Sequence, residues 1–179
     1  MIHPQPSQAR SRVTIRALGL VTALASSLGG CGGRAEFPPS ASSALQGKPL
    51  PAFERDSLRG ERVDTKALVG RVVVVKFFAK YCEPCKKTLP EVESLAKDHP
   101  EVAFVGVAED EAKADVDWLV ATYGLTFPVV HDRGNTLSGR FRVTSMPITF
   151  VADKTGTIRW VGGPEQTGRA IGQAIEAAE

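Results

Sequence analysis

Cys82-Glu83-Pro84-Cys85 is the segment of this sequence best suited to chemistry. Two thiols separated by two residues can close into a small disulfide ring and open again. The chain has 3 cysteines in all, too few for a disulfide scaffold. The third, Cys31, stands alone near the N-terminus. A pair of this kind supports thiol–disulfide exchange. A Cys82 thiolate attacks a foreign disulfide and forms a mixed disulfide; Cys85 then attacks Cys82 and releases the reduced partner. Run backwards, the same steps oxidise a dithiol. Other readings stay open at this point. A structural zinc site wants four ligands, and beyond the pair and the distant Cys31 only His3, His99 and His131 are available, with no second CxxC. An inert disulfide is also conceivable, although so small a ring constrains little of the chain.

The flanking residues say how the pair would be held. Val72-Val73-Val74-Val75-Lys76-Phe77-Phe78 is a β-branched and aromatic run that reads as a central strand buried on both faces. Residues 83–97 read as a helix, with Leu89, Val92, Leu95 and Ala96 forming an apolar stripe at helical spacing. Cys82 then falls where backbone N–H groups are unpaired and the helix dipole favours negative charge, which stabilises thiolate over thiol. Lys80, Lys86 and Lys87 should act in the same direction. Pro84 suits the first helical turn, where its missing N–H costs nothing.

The rest of the chain supplies a frame. Gly47 to Phe53 starts the folded part, with an extended segment near Phe53. Val102 to Val107 is a second buried strand, and residues 111–123 read as a helix with Val116, Leu119, Val120 and Tyr123 on one face and Gly124 as its C-terminal cap. A short helix fits Thr136–Phe141. Ile148–Val151 and Thr157–Val161 are strands joined by the turn residues Asp153-Lys154-Thr155-Gly156. Residues 165–178 close as an Ala-rich helix with Ile171 and Ile175 inward. The order β-α-β-α-β-β-α predicts an α/β fold. A parallel pair with a crossover helix joins an antiparallel hairpin in one mixed sheet.

Before this frame lies a different kind of sequence. Residues 1–16 are polar and basic, and residues 17–28 form an apolar run of twelve, Ala17 to Leu28. That is shorter than the roughly 20 residues a bilayer span needs and matches the apolar core of a signal peptide. Leu28-Gly29-Gly30-Cys31 resembles a bacterial lipobox, which implies cleavage after residue 30, lipidation of Cys31 and a membrane anchor. Gly32 is not the Asp that retains many lipoproteins at the inner membrane, which leaves outer-membrane sorting open. Residues 31–46, rich in Gly, Pro, Ser and Ala, are expected to be a flexible tether, with the domain running over 47–179. The net charge of +2 owes its sign to this leader. Without Arg10, Arg12 and Arg16 the body carries 19 basic and 20 acidic residues of the chain's 22 and 20. A nearly neutral body makes no case for a nucleic-acid partner.

Phe77-Phe78-Ala79-Lys80-Tyr81-Cys82-Glu83-Pro84-Cys85-Lys86-Lys87 resembles the active-site strand and helix of thioredoxins. The closest type is the membrane-tethered thioredoxin-like thiol–disulfide oxidoreductases that serve cytochrome c maturation. The resemblance covers about residues 47–178. It implies a thioredoxin-like fold, a central mixed sheet flanked by helices, with an insert over roughly 109–143 between the second core strand and a cis-proline. Pro90 matches a proline inside the family's active-site helix. Ser145-Met146-Pro147-Ile148 matches its cis-proline, so Met146–Pro147 is expected to be cis and to face the thiols. By the same resemblance Cys82 is the nucleophile and Cys85 the resolving thiol, while Tyr81, Glu83, Pro84 and Met146 bind substrate. Tyr81 and Phe78 stand where the family has other aromatics. Lys76 departs further, since thioredoxins carry a buried carboxylate there. Glu109 matches a glutamate near the active site of tethered reductases, and Lys76 and Glu109 are expected to interact beneath Cys85 and assist its proton transfer.

The resemblance implies no cofactor besides the redox-active disulfide and no metal. It implies a monomer on the outer side of a bacterial membrane. Its partners would be protein disulfides, apo-cytochrome c among them, and a membrane electron donor. An oxidase or isomerase of the same fold is disfavoured because Glu83-Pro84 lacks the histidine of strong oxidants. A copper chaperone would use Cys82, Cys85, Met146 and His131. A thiol peroxidase would need a separate peroxidatic cysteine motif.

Overall fold

A computed structural model of the chain describes Met1 and residues 35–179. The expected signal peptide and the lipidated Cys31 fall outside the described residues. Residues 35–179 lie in one compact unit. Its elements are β1 (Glu54–Asp56), β2 (Arg62–Asp64), a 3-10 turn at Thr65–Leu68, β3 (Val73–Phe78) and α1 (Glu83–Asp98). Next come β4 (Ala103–Ala108), α2 (Lys113–Tyr123), β5 (Val129–His131) and α3 (Thr136–Arg140), then β6 (Ile148–Ala152), β7 (Ile158–Gly162) and α4 (Gly168–Ala178).

The main sheet has the order β5-β4-β3-β6-β7. β3 pairs in parallel with β4 and antiparallel with β6, so it is central, as its β-branched and aromatic run predicts. Every residue of β3 and β4 is buried. Alternation divides each strand between two cores. Val72, Val74 and Phe78 join Cys82, Cys85, Leu89, Val92, Ile171 and Ile175 in the layer under α1 and α4. Val73, Val75 and Phe77 join Leu137, Phe141 and Phe150 on the other face. There Phe141 sits 5.0 Å from Phe77 and 5.3 Å from Phe150, ring centre to ring centre. Gly106 on β4 lies beside Lys76 in the register, and a Cβ there would come within 2.9 Å of the Phe78 ring. A glycine is needed for that close approach.

Several expectations change at the edges. β5 was not anticipated as a strand; its pairing with β4 covers only Gly106 to Ala108, too few residues for a periodic signal. The segment near Phe53 is one arm of a small β1–β2 hairpin. The flexible tether expected over 31–46 is corrected for residues 39–46, which lie along the outer edge of β7. Ala41 N–H donates to the Val161 carbonyl at 2.7 Å, Val161 N–H donates to Ser40 Oγ at 2.9 Å, and the Trp160 indole donates to the Pro39 carbonyl at 3.1 Å. An edge strand presents unpaired backbone groups, and this segment meets them with backbone and hydroxyl groups. Large apolar side chains are not required for that, which is why composition misleads here. Among the described residues no helix is long and apolar enough to cross a membrane.

Candidate active site

β3 ends at Phe78, and the chain turns through Ala79 to Tyr81 into α1. Two contacts hold this turn. Cys82 N–H donates to the Ala79 carbonyl at 3.1 Å, and Lys80 N–H donates to both carboxylate oxygens of Asp110, at 3.0 and 3.1 Å. Cys82 is the N-cap of α1, with Pro84 in the first turn. The Cys85 N–H, one of the donors left over at a helix start, points at Cys82 Sγ from 3.2 Å. Cys82 and Cys85 are joined in a disulfide with Cα atoms 5.2 Å apart. Cys85 is fully buried and Cys82 nearly so. Of the two, Cys82 is the nearer to the surface.

Around the disulfide the structure gathers most of the anticipated residues. The Met146–Pro147 bond is cis, Pro147 is buried, and Met146 packs against the core that holds both cysteines. Glu83 and Pro84 are exposed on the first turn of α1. Tyr81 is 69% exposed and leaves a flat apolar surface beside the pair. The expected run of positive charge is weaker than the sequence suggests. Lys80 is paired with Asp115 at 2.6 Å and Lys86 with Glu83 at 2.6 Å. Two of the three lysines thus already have carboxylate partners.

Lys76 and Glu109 do not meet, and the reason is parity along the strands. Lys76 lies opposite Gly106 in the register. It shares its face with Val74, Phe78 and the cysteines. Glu109 follows Val105 and Val107 onto the opposite face. Lys76 also does not reach solvent. It is 1% exposed, and among the described residues the single hydrogen bond of its Nζ goes to Thr149 Oγ1 at 3.5 Å. Burial pushes its pKa from lysine's ordinary 10.5 down to about 7, with Glu91 on α1 pulling weakly the other way. Glu109 instead accepts a very short hydrogen bond from Ser138 Oγ. Burial raises its pKa, the Ser138 bond opposes that, and the nearby Asp132 and Asp110 charges add to the rise.

Sequence reasoning missed part of this polar network. Asp132 accepts the Leu137 and Ser138 N–H groups at 2.8 Å each and lies 2.9 Å from Ser138 Oγ. A serine hydroxyl carries one proton, so Glu109 and Asp132 cannot both receive it. Asp110 is buried, and burial raises its pKa while the Lys80 N–H lowers it. The available signal was the run Glu109-Asp110-Glu111 at a strand end next to the catalytic turn.

The copper ligand set is not assembled. His131 Nε2 lies 2.6 Å from the Asp110 carbonyl. Among the described residues the one close group of three His, Cys, Asp or Glu ligand atoms is His99, Glu101 and Glu179, which contains neither cysteine of the pair.

Residues 46–161 match the model of the AhpC/TSA family. The thiol-disulfide oxidoreductase ResA of Bacillus anthracis is 33% identical over 114 residues, covering 63% of this chain and 66% of that protein. The chain thus aligns with just under two thirds of that relative's length. The thioredoxin-like protein YneN of Bacillus subtilis is 27% identical over 135 residues, 73% of this chain and 79% of that one. Among solved structures, dsbF of MTB superposes with a TM-score of 0.68 at 26% identity, covering 72% of this chain and 96% of that chain. A thiol:disulfide interchange protein of Chlorobium tepidum superposes with a TM-score of 0.67 at 25% identity, covering 77% and 99%.

Proposed function

The chain belongs to the AhpC/TSA family, in the thioredoxin-like fold of its solved relatives, and from that premise we propose that it is an extracytoplasmic protein-disulfide reductase acting through Cys82 and Cys85. The observation that carries this reading is the N-terminus of α1, where the Cys85 N–H is aimed at Cys82 Sγ beside Met146 and the buried Pro147. A donated N–H at a helix start favours thiolate, the form that attacks. Curated relatives named thiol-disulfide oxidoreductases support the same reaction class.

In this mechanism the reduced enzyme presents the Cys82 thiolate to a partner's disulfide. The Cys82–partner S–S bond forms as the partner's own S–S bond breaks, and the partner's leaving sulfur takes up a proton. Cys85 gives up its proton and attacks Cys82. The partner leaves as a dithiol and the Cys82–Cys85 disulfide closes. Tyr81 offers an exposed aromatic face to the partner chain, and Met146 offers its backbone. An oxidising compartment would hold the pair closed, so the cycle needs a dithiol donor. The basic leader, the apolar run at 17–28 and Cys31 support a location on the outer side of a bacterial membrane, held by lipid, with a membrane protein as donor. Apo-cytochrome c is the substrate suggested by the resemblance at residues 77–87.

The test is trapping. Cys85→Ser should accumulate a mixed disulfide between Cys82 and an added disulfide protein, resolved by gel under non-reducing conditions. Cys82→Ser should form none. A mixed disulfide that forms equally well through Cys85 alone would overturn the assignment of nucleophile and resolving thiol.

A further inference from the structure

Within residues 35–179 the large apolar side chains left exposed are Val69, Tyr81 and Trp118. Val69 lies near Gly156, in the turn at the end of the sheet opposite the cysteines. Tyr81 and Trp118 instead flank Lys80, in the turn that leads into the reactive pair. Helix α2 buries Val116 and Leu119 and turns Trp118 outward, 43% exposed. The ring is nonetheless held. Lys80 Nζ lies 5.0 Å from its centre and 2.6 Å from Asp115, one turn earlier on α2. Tyr123 meets it edge-on at 6.4 Å between ring centres. The Lys80 backbone is fixed in turn by Asp110. Trp118 is thus tied to the turn that presents Cys82. The lysines on this side have carboxylate partners, Lys80 with Asp115 and Lys113 with Asp117 at 2.7 Å. The surface therefore offers a partner a flat apolar face more than a free positive charge. An aromatic side chain already held in one place loses little freedom on binding, and such residues anchor interfaces.

Resting on the redox reading above, we propose that Trp118 binds the partner polypeptide, taking a large apolar or aromatic side chain a few residues from the partner's reactive cysteine. The occupant is the partner chain because Cys82 must meet a partner's sulfur beside this turn, and Tyr81, Lys80 and Trp118 continue the same surface. Lys80 and Cys82 are two residues apart, at most about 7 Å, and the ring lies 5.0 Å from the Lys80 ammonium. An extended partner covers about 3.3 Å per residue, so the bound side chain stands about three to six residues from the cysteine. Trp118 lies on α2, between the second core strand and the cis-proline, and its contact is separate from those of Tyr81 and Met146 at the pair. It touches no reacting atom. It decides which partners stay long enough for Cys82 to attack, and a disulfide too small to reach the ring gains nothing from it.

The experiment mixes the reduced full chain with synthetic peptides that carry one cysteine as its mixed disulfide with glutathione. The other positions are Ser or Gly, apart from a single Phe moved stepwise along either side of the cysteine. A control peptide has Ser in place of the Phe. The readout is the rate of Cys82–Cys85 formation with each Phe peptide divided by the rate with the control, so a general change in the reactivity of the turn cancels. In the native chain this ratio should reach about three- to tenfold at the best Phe position. Trp118→Ala should bring it to about one there. Trp118→Gln should do the same, and Trp118→Phe, which keeps an aromatic face, should retain most of it. A ratio near one at every position in the native chain would overturn the assignment while leaving the exchange chemistry intact. So would a ratio unaltered in Trp118→Ala and Trp118→Gln, including the case where all peptides react more slowly by the same factor. A reduced native chain oxidised neither by these peptides nor by oxidised glutathione would overturn the redox reading beneath it.

Discussion

Replacing Lys76 by Met should make the oxidised protein more stable at neutral and mildly acidic pH. Lys76 is 1% exposed with one long hydrogen bond to Thr149, and burial holds its pKa at about 7 instead of 10.5. The unfolded chain therefore binds a proton that the native state does not bind between about pH 7 and 10.5. Stability rises with pH across that window, and below pH 7 the whole penalty is present. That pKa change makes the penalty on the order of 4–5 kcal/mol. Met fills similar volume without charge, and the lost Thr149 contact is at the limit of a hydrogen bond. Urea unfolding of the full chain with its disulfide intact would measure this, native against Lys76→Met, at pH 6, 7, 8, 9 and 10. The variant should be more stable by several kcal/mol at pH 6, and the gap should close steadily above pH 7. A gap that stays constant with pH, or a variant less stable at pH 6, would refute a buried lysine that is neutralised within this range.

Asp110→Ala removes the acceptor for the Lys80 N–H, which Asp110 meets at 3.0 Å. It should destabilise the fold by about 1–3 kcal/mol. Faster amide exchange at Lys80 would be the diagnostic, and unchanged exchange would rule out a role in holding the turn before Cys82. Removing residues 35–46 uncovers the edge of β7, where Ala41 and Ser40 bond Val161 and Pro39 bonds Trp160. The truncated chain should melt at lower temperature and associate at high concentration, seen by light scattering, with Cys82 still able to form mixed disulfides. A truncated chain with native melting would mean that these contacts contribute nothing.

The parts of this fold legible in the sequence are those with strong local signals. The run Val72–Phe78 announces a central strand, the stripe Leu89–Val92–Leu95 announces α1, and Asp153–Gly156 announces the β6–β7 hairpin. Gly124 caps α2 in the left-handed conformation expected of it, with φ of 59°. The chemistry was legible for the same reason, since Cys82, Cys85 and Pro84 are local to one helix start. The Lys76–Glu109 pairing failed because it depended on the register between β3 and β4. Each residue lies near the end of a buried strand, yet the pairing of Lys76 with Gly106 sends Glu109 to the far face. No spacing within either strand reveals that. The segment over 39–46 failed for a related reason, because its partners Trp160 and Val161 lie far along the chain. Ser138 and Asp132 join Glu109 only once α3 is folded over the end of the sheet.

The most direct test of the central claim is the reduction potential of the Cys82–Cys85 couple in the full chain, equilibrated against a glutathione or dithiothreitol buffer. A protein-disulfide reductase fed by a dithiol donor should lie near or below roughly −250 mV, close to thioredoxin. A value near roughly −120 mV would mark an oxidant and would contradict the reductase reading.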